Sequence, residues 1–158
     1  MSFRIFLHGL ESSNQGTKSV FFREKYPDML IPNFSGSLQR RMGKLNDILA
    51  GKSGIRVVGS SFGGLMAAIF AMENEPSVDR LILLAPAINL MGFSNYSQKE
   101  ISLSVSIYHG KDDGVIPLQA VESIAKKCFR DLSFHIVDDD HSLHKTFKNM
   151  EWDNLLGD

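Results

Sequence analysis

Gly59, Ser60, Ser61, Phe62 and Gly63 set a serine midway between two glycines, with an apolar run, Ile55 to Val58, before it and a helix-like stretch from Leu65 after it. A strand that turns sharply into a helix exposes the residue at the turn, and small residues two positions to either side let the backbones pass closely. Ser61 is therefore the candidate nucleophile, and Gly59 and Gly63 supply the room. The turn also puts Ser61 at a helix N-terminus, where unpaired N–H groups point at the place a developing oxyanion would occupy, so the Phe62 N–H is an expected donor. The pentapeptide alone is a weak signal in a chain of this length. A serine hydroxyl needs a base within hydrogen-bond reach, and the base needs a carboxylate to hold its tautomer.

Hydrolases with this kind of turn carry the three groups in the order serine, acid, histidine. After Ser61 a buried strand, Val105 to Tyr108, leads into His109, Gly110, Lys111, Asp112, Asp113, Gly114, Val115, Ile116 and Pro117, an acidic loop at a strand's carboxyl end. A second strand, Leu132 to Val137, runs into Asp138, Asp139, Asp140 and His141. Asp112 and Asp113 both stand where the acid is needed, and either could instead cap the turn before Val115. His141 competes with His144, three positions on, and with His135, which alternates with Phe134 and Ile136 as a structural residue of the strand. His8 and His109 precede glycines at strand ends, where they are expected to bond the backbone and shape their loops.

Rival chemistries fit less well. The cluster Asp138, Asp139, Asp140, His141 and His144 has an H-x-x-H spacing, but zinc hydrolase helices use H-E-x-x-H and the serine turn would then have no purpose; no metal site is expected. Gly16, Thr17, Lys18 and Ser19 fail as a phosphate loop because Glu11 stands where a glycine is required. Cys128 lies on the apolar stripe of a helix pattern and is expected to be buried and inert. A serine in place of a carboxylate at position 61 favours acyl transfer.

Four separated motifs resemble the α/β-hydrolase superfamily, and the likeness covers nearly the whole chain. Phe6, Leu7, His8, Gly9, Leu10, Glu11, Ser12 and Ser13 look like its first core strand and oxyanion loop, which implies the Leu10 N–H as the second oxyanion donor. The turn at Ser61 is similar to its nucleophile elbow. His109 to Pro117 look like its acid loop, whose spacing implies Asp113 rather than Asp112, and Asp140, His141 and Ser142 look like the loop of the general base. The start H-G-x-x-S-S with G-S-S-x-G-G further resembles the small YqiA-like esterases.

The elements that must position these groups follow from alternating short apolar runs and amphipathic segments, the pattern of a three-layer α/β/α sandwich with a mostly parallel sheet. Six strands are expected, centred on Ile5, Leu30, Val57, Ile82, Ser106 and Phe134. Between them Leu38, Leu45, Ile48 and Leu49, and then Leu118, Val121, Ile124, Ala125 and Cys128, recur at helical spacing. The 158 residues, 43% hydrophobic and 22% charged, suit a single domain over 1–158, which the resemblance implies is an α/β-hydrolase domain. By the resemblance it is a minimal version, without the N-terminal antiparallel hairpin and without a cap, because Ala85 to Ile101 is too short to hold one. Phe93, Tyr96 and Ile116 are candidates for a substrate lip beside the nucleophile, leaving an open and shallow site.

A lone cysteine, no signal-peptide pattern and no stretch near the roughly 18 apolar residues of a membrane span fit a cytoplasmic protein. A net charge of −1 gives no field for nucleic acid. The expected activity is serine-dependent cleavage of small carboxylic esters or thioesters, as a carboxylesterase or thioesterase without a cofactor. Ser61, Asp113 and His141 form the triad, and Leu10 and Phe62 hold the oxyanion. The alternative is a hydrolase-fold binding or regulatory protein with little turnover. Oligomeric state is not legible.

Overall fold

Side chains along a strand alternate between the faces of its sheet, and the apolar runs of this chain fill two cores by that rule. The computed structural model describes residues 2–157. From strands β1 (Phe3–Leu7), β2 (Ile55–Ser60), β3 (Val78–Leu84) and β4 (Ile101–Gly110), Ile5, Leu7, Val57, Leu81, Leu83, Val105 and Ile107 enter one core. Helices α2 (Leu38–Leu49), α3 (Phe62–Glu73) and α4 (Leu118–Cys128) cover that face. The intervening Phe6, Val58, Ile82 and Leu84 enter the other core with helices α1 (Thr17–Lys25) and α5 (Trp152–Leu156). Strands buried on both faces read as continuous apolar runs, which is why Val57–Val58 and Leu81–Leu84 are uninterrupted.

With β5 (Phe129–Val137) the sheet has five strands, all parallel, in the order β1-β2-β3-β4-β5. The architecture is the expected α/β/α sandwich, with one strand fewer. The segment at Leu30 makes a single bridge to Ile5, through Leu30 N–H to Arg4 O at 2.9 Å and Phe6 N–H to Leu30 O at 3.0 Å. Every second residue of an edge strand donates to its parallel neighbour. The next donor would be residue 32, which is proline and has no N–H, so the ladder stops after one rung.

Helix α3 is buried from Gly63 through Met72, as expected of a helix apolar on all sides. The opposite face is built on aromatic rings. Phe22 of α1 meets Trp152 of α5 edge-on at 4.8 Å, and Trp152 Nε1–H donates to Phe147 O at 2.8 Å. This cluster ties the chain that follows β5 to the first helix. Among the described residues no helix is long and apolar enough to cross a membrane.

Candidate active site

The turn from β2 into α3 holds Ser61 at φ 56° and ψ −115°, a conformation that residues with a Cβ rarely adopt. Tertiary bonds over-determine it. Ser61 N–H donates to Leu84 O at 2.9 Å, and Ser61 O accepts from Gly64 N–H and Ala87 N–H at 2.9 Å each. The two glycines are required by close approach: a Cβ on Gly59 would lie 2.3 Å from Gly63 O, and one on Gly63 would lie 2.0 Å from Leu7 O.

Beyond β4, the side chain of Asp113 is fully buried. Its Oδ1 accepts from Val115 N–H and Ile116 N–H at 2.8 Å each, and its Oδ2 accepts from His141 Nδ1–H at 2.8 Å. Donation from Nδ1 leaves His141 Nε2 as the acceptor, and Nε2 lies 3.1 Å from Ser61 Oγ. His109, also buried, donates from Nε2 to Ile116 O at 2.9 Å and packs 3.3 Å from Asp113 Oδ2. Asp112 is exposed, and its backbone N–H bonds Asp139 O. His144 lines the same cavity but makes its side-chain bond to Asp140, at 2.7 Å, which holds the Asp140 carboxyl down at about 2. His135 stacks on Tyr108, with ring centroids 4.3 Å apart. Of the competing aspartates and histidines, Asp113 and His141 are the pair brought to Ser61.

The loop that carries His141 is fastened by Asp139, which the sequence reading weighed only as a member of the acidic cluster before His141 and not as an anchor. Its carboxylate is buried and accepts from the N–H groups of Asp140, Lys145 and Thr146 at 2.8, 2.9 and 2.8 Å. Burial alone would raise its pKa; a bond from the Thr146 side chain, together with these backbone bonds, lowers it. Lys18 of α1 donates to Ser142 O at 2.8 Å and lies over the Phe147 ring. The run of three aspartates before His141 was the one signal that an anchor lay here.

On the other side of Ser61, His8 Nε2 accepts from Phe34 N–H at 2.9 Å, which leaves Nδ1–H to donate to Gly9 O at 2.7 Å. Burial, with lesser help from the Arg41 and Lys44 charges, lowers the His8 pKa, so the ring is a neutral brace for the loop at Leu10. Leu10 and Phe62 both line the cavity beside Ser61. Among the described residues, no acceptor takes a hydrogen bond from the Leu10 or Phe62 backbone N–H.

The cavity measures about 760 Å³. Ile116 lines it, as expected of a lip residue, but Phe93 and Tyr96 do not. Phe93 is 1% exposed and packs under α3, while Tyr96 hydrogen-bonds Glu73 at 2.7 Å. The exposed large apolar side chains that line the cavity are instead Leu10, Leu90 and Val115, at 52%, 41% and 66%. Cys128 is buried, and burial raises its thiol pKa. Among the described residues no cluster of three or more His, Cys, Asp or Glu side chains has the arrangement of a metal site.

No family model matches the sequence, and no curated protein matches it either. Solved structures do. The chain is similar to a protein described as a YdeN-like hydrolase from Pectobacterium atrosepticum, with a TM-score of 0.77 and 16% identity over 98% of this chain and 87% of that one. It is also similar to mouse α/β hydrolase domain-containing protein 10, with a TM-score of 0.73 and 18% identity over 88% of this chain and 81% of that one. Est1E of Butyrivibrio proteoclasticus, solved with ferulic acid, gives a TM-score of 0.74 and 15% identity over 94% and 84%. These likenesses, with the parallel strand order and the strained turn at Ser61, show that this chain has the α/β-hydrolase fold.

Proposed function

We propose that this protein is a serine hydrolase that cleaves carboxylic esters or thioesters of small acyl groups through an acyl-enzyme. One observation carries the reading: the hydrogen-bond chain from Ser61 Oγ through His141 to a buried Asp113, at 3.1 and 2.8 Å, opening on a cavity. Ser61 Oγ attacks the acyl carbonyl carbon as His141 Nε2 takes its proton. The carbonyl oxygen becomes an oxyanion beside the free N–H groups of Leu10 and Phe62. His141 returns the proton to the departing alcohol or thiol, and water then repeats the sequence on the acyl-serine. Asp113 holds the Nδ1 proton and stabilises the imidazolium. The exposed apolar side chains of Leu90 and Val115 suit an apolar acyl part, and such a wall contributes about 1–3 kcal/mol of discrimination per methylene.

Labelling by a fluorophosphonate probe tests the reading without knowledge of the substrate. Wild-type protein is expected to label and Ser61→Ala to remain unlabelled. A folded wild type that ignores the probe would remove the nucleophile from the scheme.

A further inference from the structure

Arg41 is a cation inside the protein that none of the chemistry above uses. It sits on α2, is 6% exposed, and its Cζ lies 5.4 Å from the centre of the Phe62 ring. Its Nε donates to Gly36 O at 2.9 Å, but its Nη1 is buried without an acceptor. No carboxylate among the described residues pairs with it. Buried charges ordinarily pair, because leaving water uncompensated is costly. The neighbouring buried positions of α2, Met42, Leu45 and Leu49, are apolar, and an apolar residue at 41 would remove that cost.

The surroundings of Arg41 supply a reason for keeping the charge. On one side its guanidinium faces Phe62, whose backbone N–H is one of the two free donors at the cavity. On another its charge is felt at His8, the ring that braces Gly9 ahead of Leu10. The cation thus packs on the side chain of one donor residue, largely shielded from water, where a charge is screened less than at the surface. At the oxyanion position negative charge develops as the carbonyl oxygen becomes an oxyanion.

We infer that Arg41 is a positioning residue of the oxyanion site, clamping Phe62 by its ring contact and adding an unpaired positive charge on the Phe62 side of that site. The inference rests on the serine hydrolase reading. Its effect belongs to the transition state, so it appears in kcat and leaves KM nearly unchanged. Arg41→Met keeps length and apolar bulk but removes the charge. It is expected to slow fluorophosphonate labelling and ester turnover by about tenfold, less than loss of a direct oxyanion donor. Arg41→Lys, which keeps the charge, is expected to recover most of that loss. The tetrahedral anion formed by benzeneboronic acid should bind Arg41→Met about tenfold more weakly, in step with the rate.

The controls separate two failures. An unlabelled wild type would sink the hydrolase reading itself. A labelled wild type with Arg41→Met equally fast per folded molecule would sink the role of Arg41 alone, as would an Arg41→Lys variant no better than Arg41→Met. If Arg41→Met does not fold, Phe62→Leu reads the contact from the other side, since it keeps the N–H and removes the ring. In wild type and in Arg41→Lys, it should then cost several-fold in rate with KM unchanged, and no cost would overturn the inference.

Discussion

Asp113 illustrates how a side chain is committed to one task by its hydrogen bonds. With Oδ1 occupied by two backbone N–H groups, Oδ2 is left to His141. Asp113→Asn would present an N–H or a weaker acceptor to Nδ1 and favour the wrong tautomer, so turnover should fall by about 10⁴ while the fold survives. Asp112→Asn, at an exposed side chain, should stay within about twofold of wild type, because surface changes away from such features are close to neutral. Steady-state kinetics of both variants with one activated ester decide it, and the reverse ranking would move the acid to Asp112. Residue types could not choose between adjacent aspartates; only the loop spacing favoured Asp113, and the structure adds the reason in the bonds to Val115 and Ile116. Similarly, His141 and His144 are alike as sequence, and the geometry separates them by giving His144 its own partner, Asp140. Phe93 and Tyr96 misled because an aromatic residue in an irregular segment looks the same whether it faces a cavity or the underside of a helix. Cavity walls come from loops distant in the chain, such as those of Leu90 and Val115, and no local pattern records which of them meet.

The elbow joins a strand to a helix at a distance only hydrogen atoms allow, and that makes it testable as an element. Gly63→Ala would drive a methyl group into Leu7 O and His8 O, at 2.0 and 2.7 Å. These are backbone atoms of the strand end that also carries Leu10, so relief requires α3 to part from β1. The expected cost is at least about 3 kcal/mol, at the upper end of overpacking, or a fall of roughly 10 °C in melting temperature for a chain of this size, with labelling of Ser61 lost. Gly43 is the control: it lies inside α2, exposed, with nothing within 4 Å of an added Cβ. Gly43→Ala should raise stability by about 0.5–1 kcal/mol through backbone entropy alone. Calorimetry of the two variants checks both signs. Elements of this kind were legible where burial on both faces leaves an uninterrupted apolar run, as at Ile55–Val58 and Leu81–Leu84. The expected strand at Leu30 was read from its apolar neighbours, and the missing N–H of Pro32 outweighed them. Helices α2 and α4 were legible because one apolar stripe faces the core. The Asp139 anchor was not, because a buried carboxylate and a solvated one look identical in sequence.

For the whole molecule, the ionisable groups that brace the site and two tyrosines elsewhere in the fold set the limits of pH within which it stays assembled. His8 is held neutral in the folded state, chiefly by burial, and its pKa lies below the ordinary 6.5. The unfolded chain therefore takes up the proton first, so this part of the stability is complete above 6.5 and drains away as pH falls from there towards the folded value. Asp139 has a folded pKa below the ordinary 3.8. Its contribution is complete above 3.8 and is lost only as pH falls through that lower folded value. On the alkaline side, burial and the bond to Asp153 raise the pKa of Tyr26, and the bond to Glu73 pushes Tyr96 up to about 12. A raised pKa keeps the folded state protonated, so stability is complete below the ordinary 10.0 and falls as pH rises above it. Melting temperature against pH should therefore show a plateau from about 7 to 9, a first acid decline beginning near 6.5, a second below 4 and an alkaline decline above 10. His8→Gln isolates the first step, since it removes the proton uptake while an amide can still accept from Phe34 N–H and donate to Gly9 O. If the decline beginning near 6.5 persists in that variant, the titrating group is elsewhere. If it vanishes while the step below 4 remains, the two sides of the Ser61 site are braced independently, the oxyanion loop by a neutral imidazole and the His141 loop by a buried carboxylate. Mild acid would then loosen the loop of Leu10 before it releases the base.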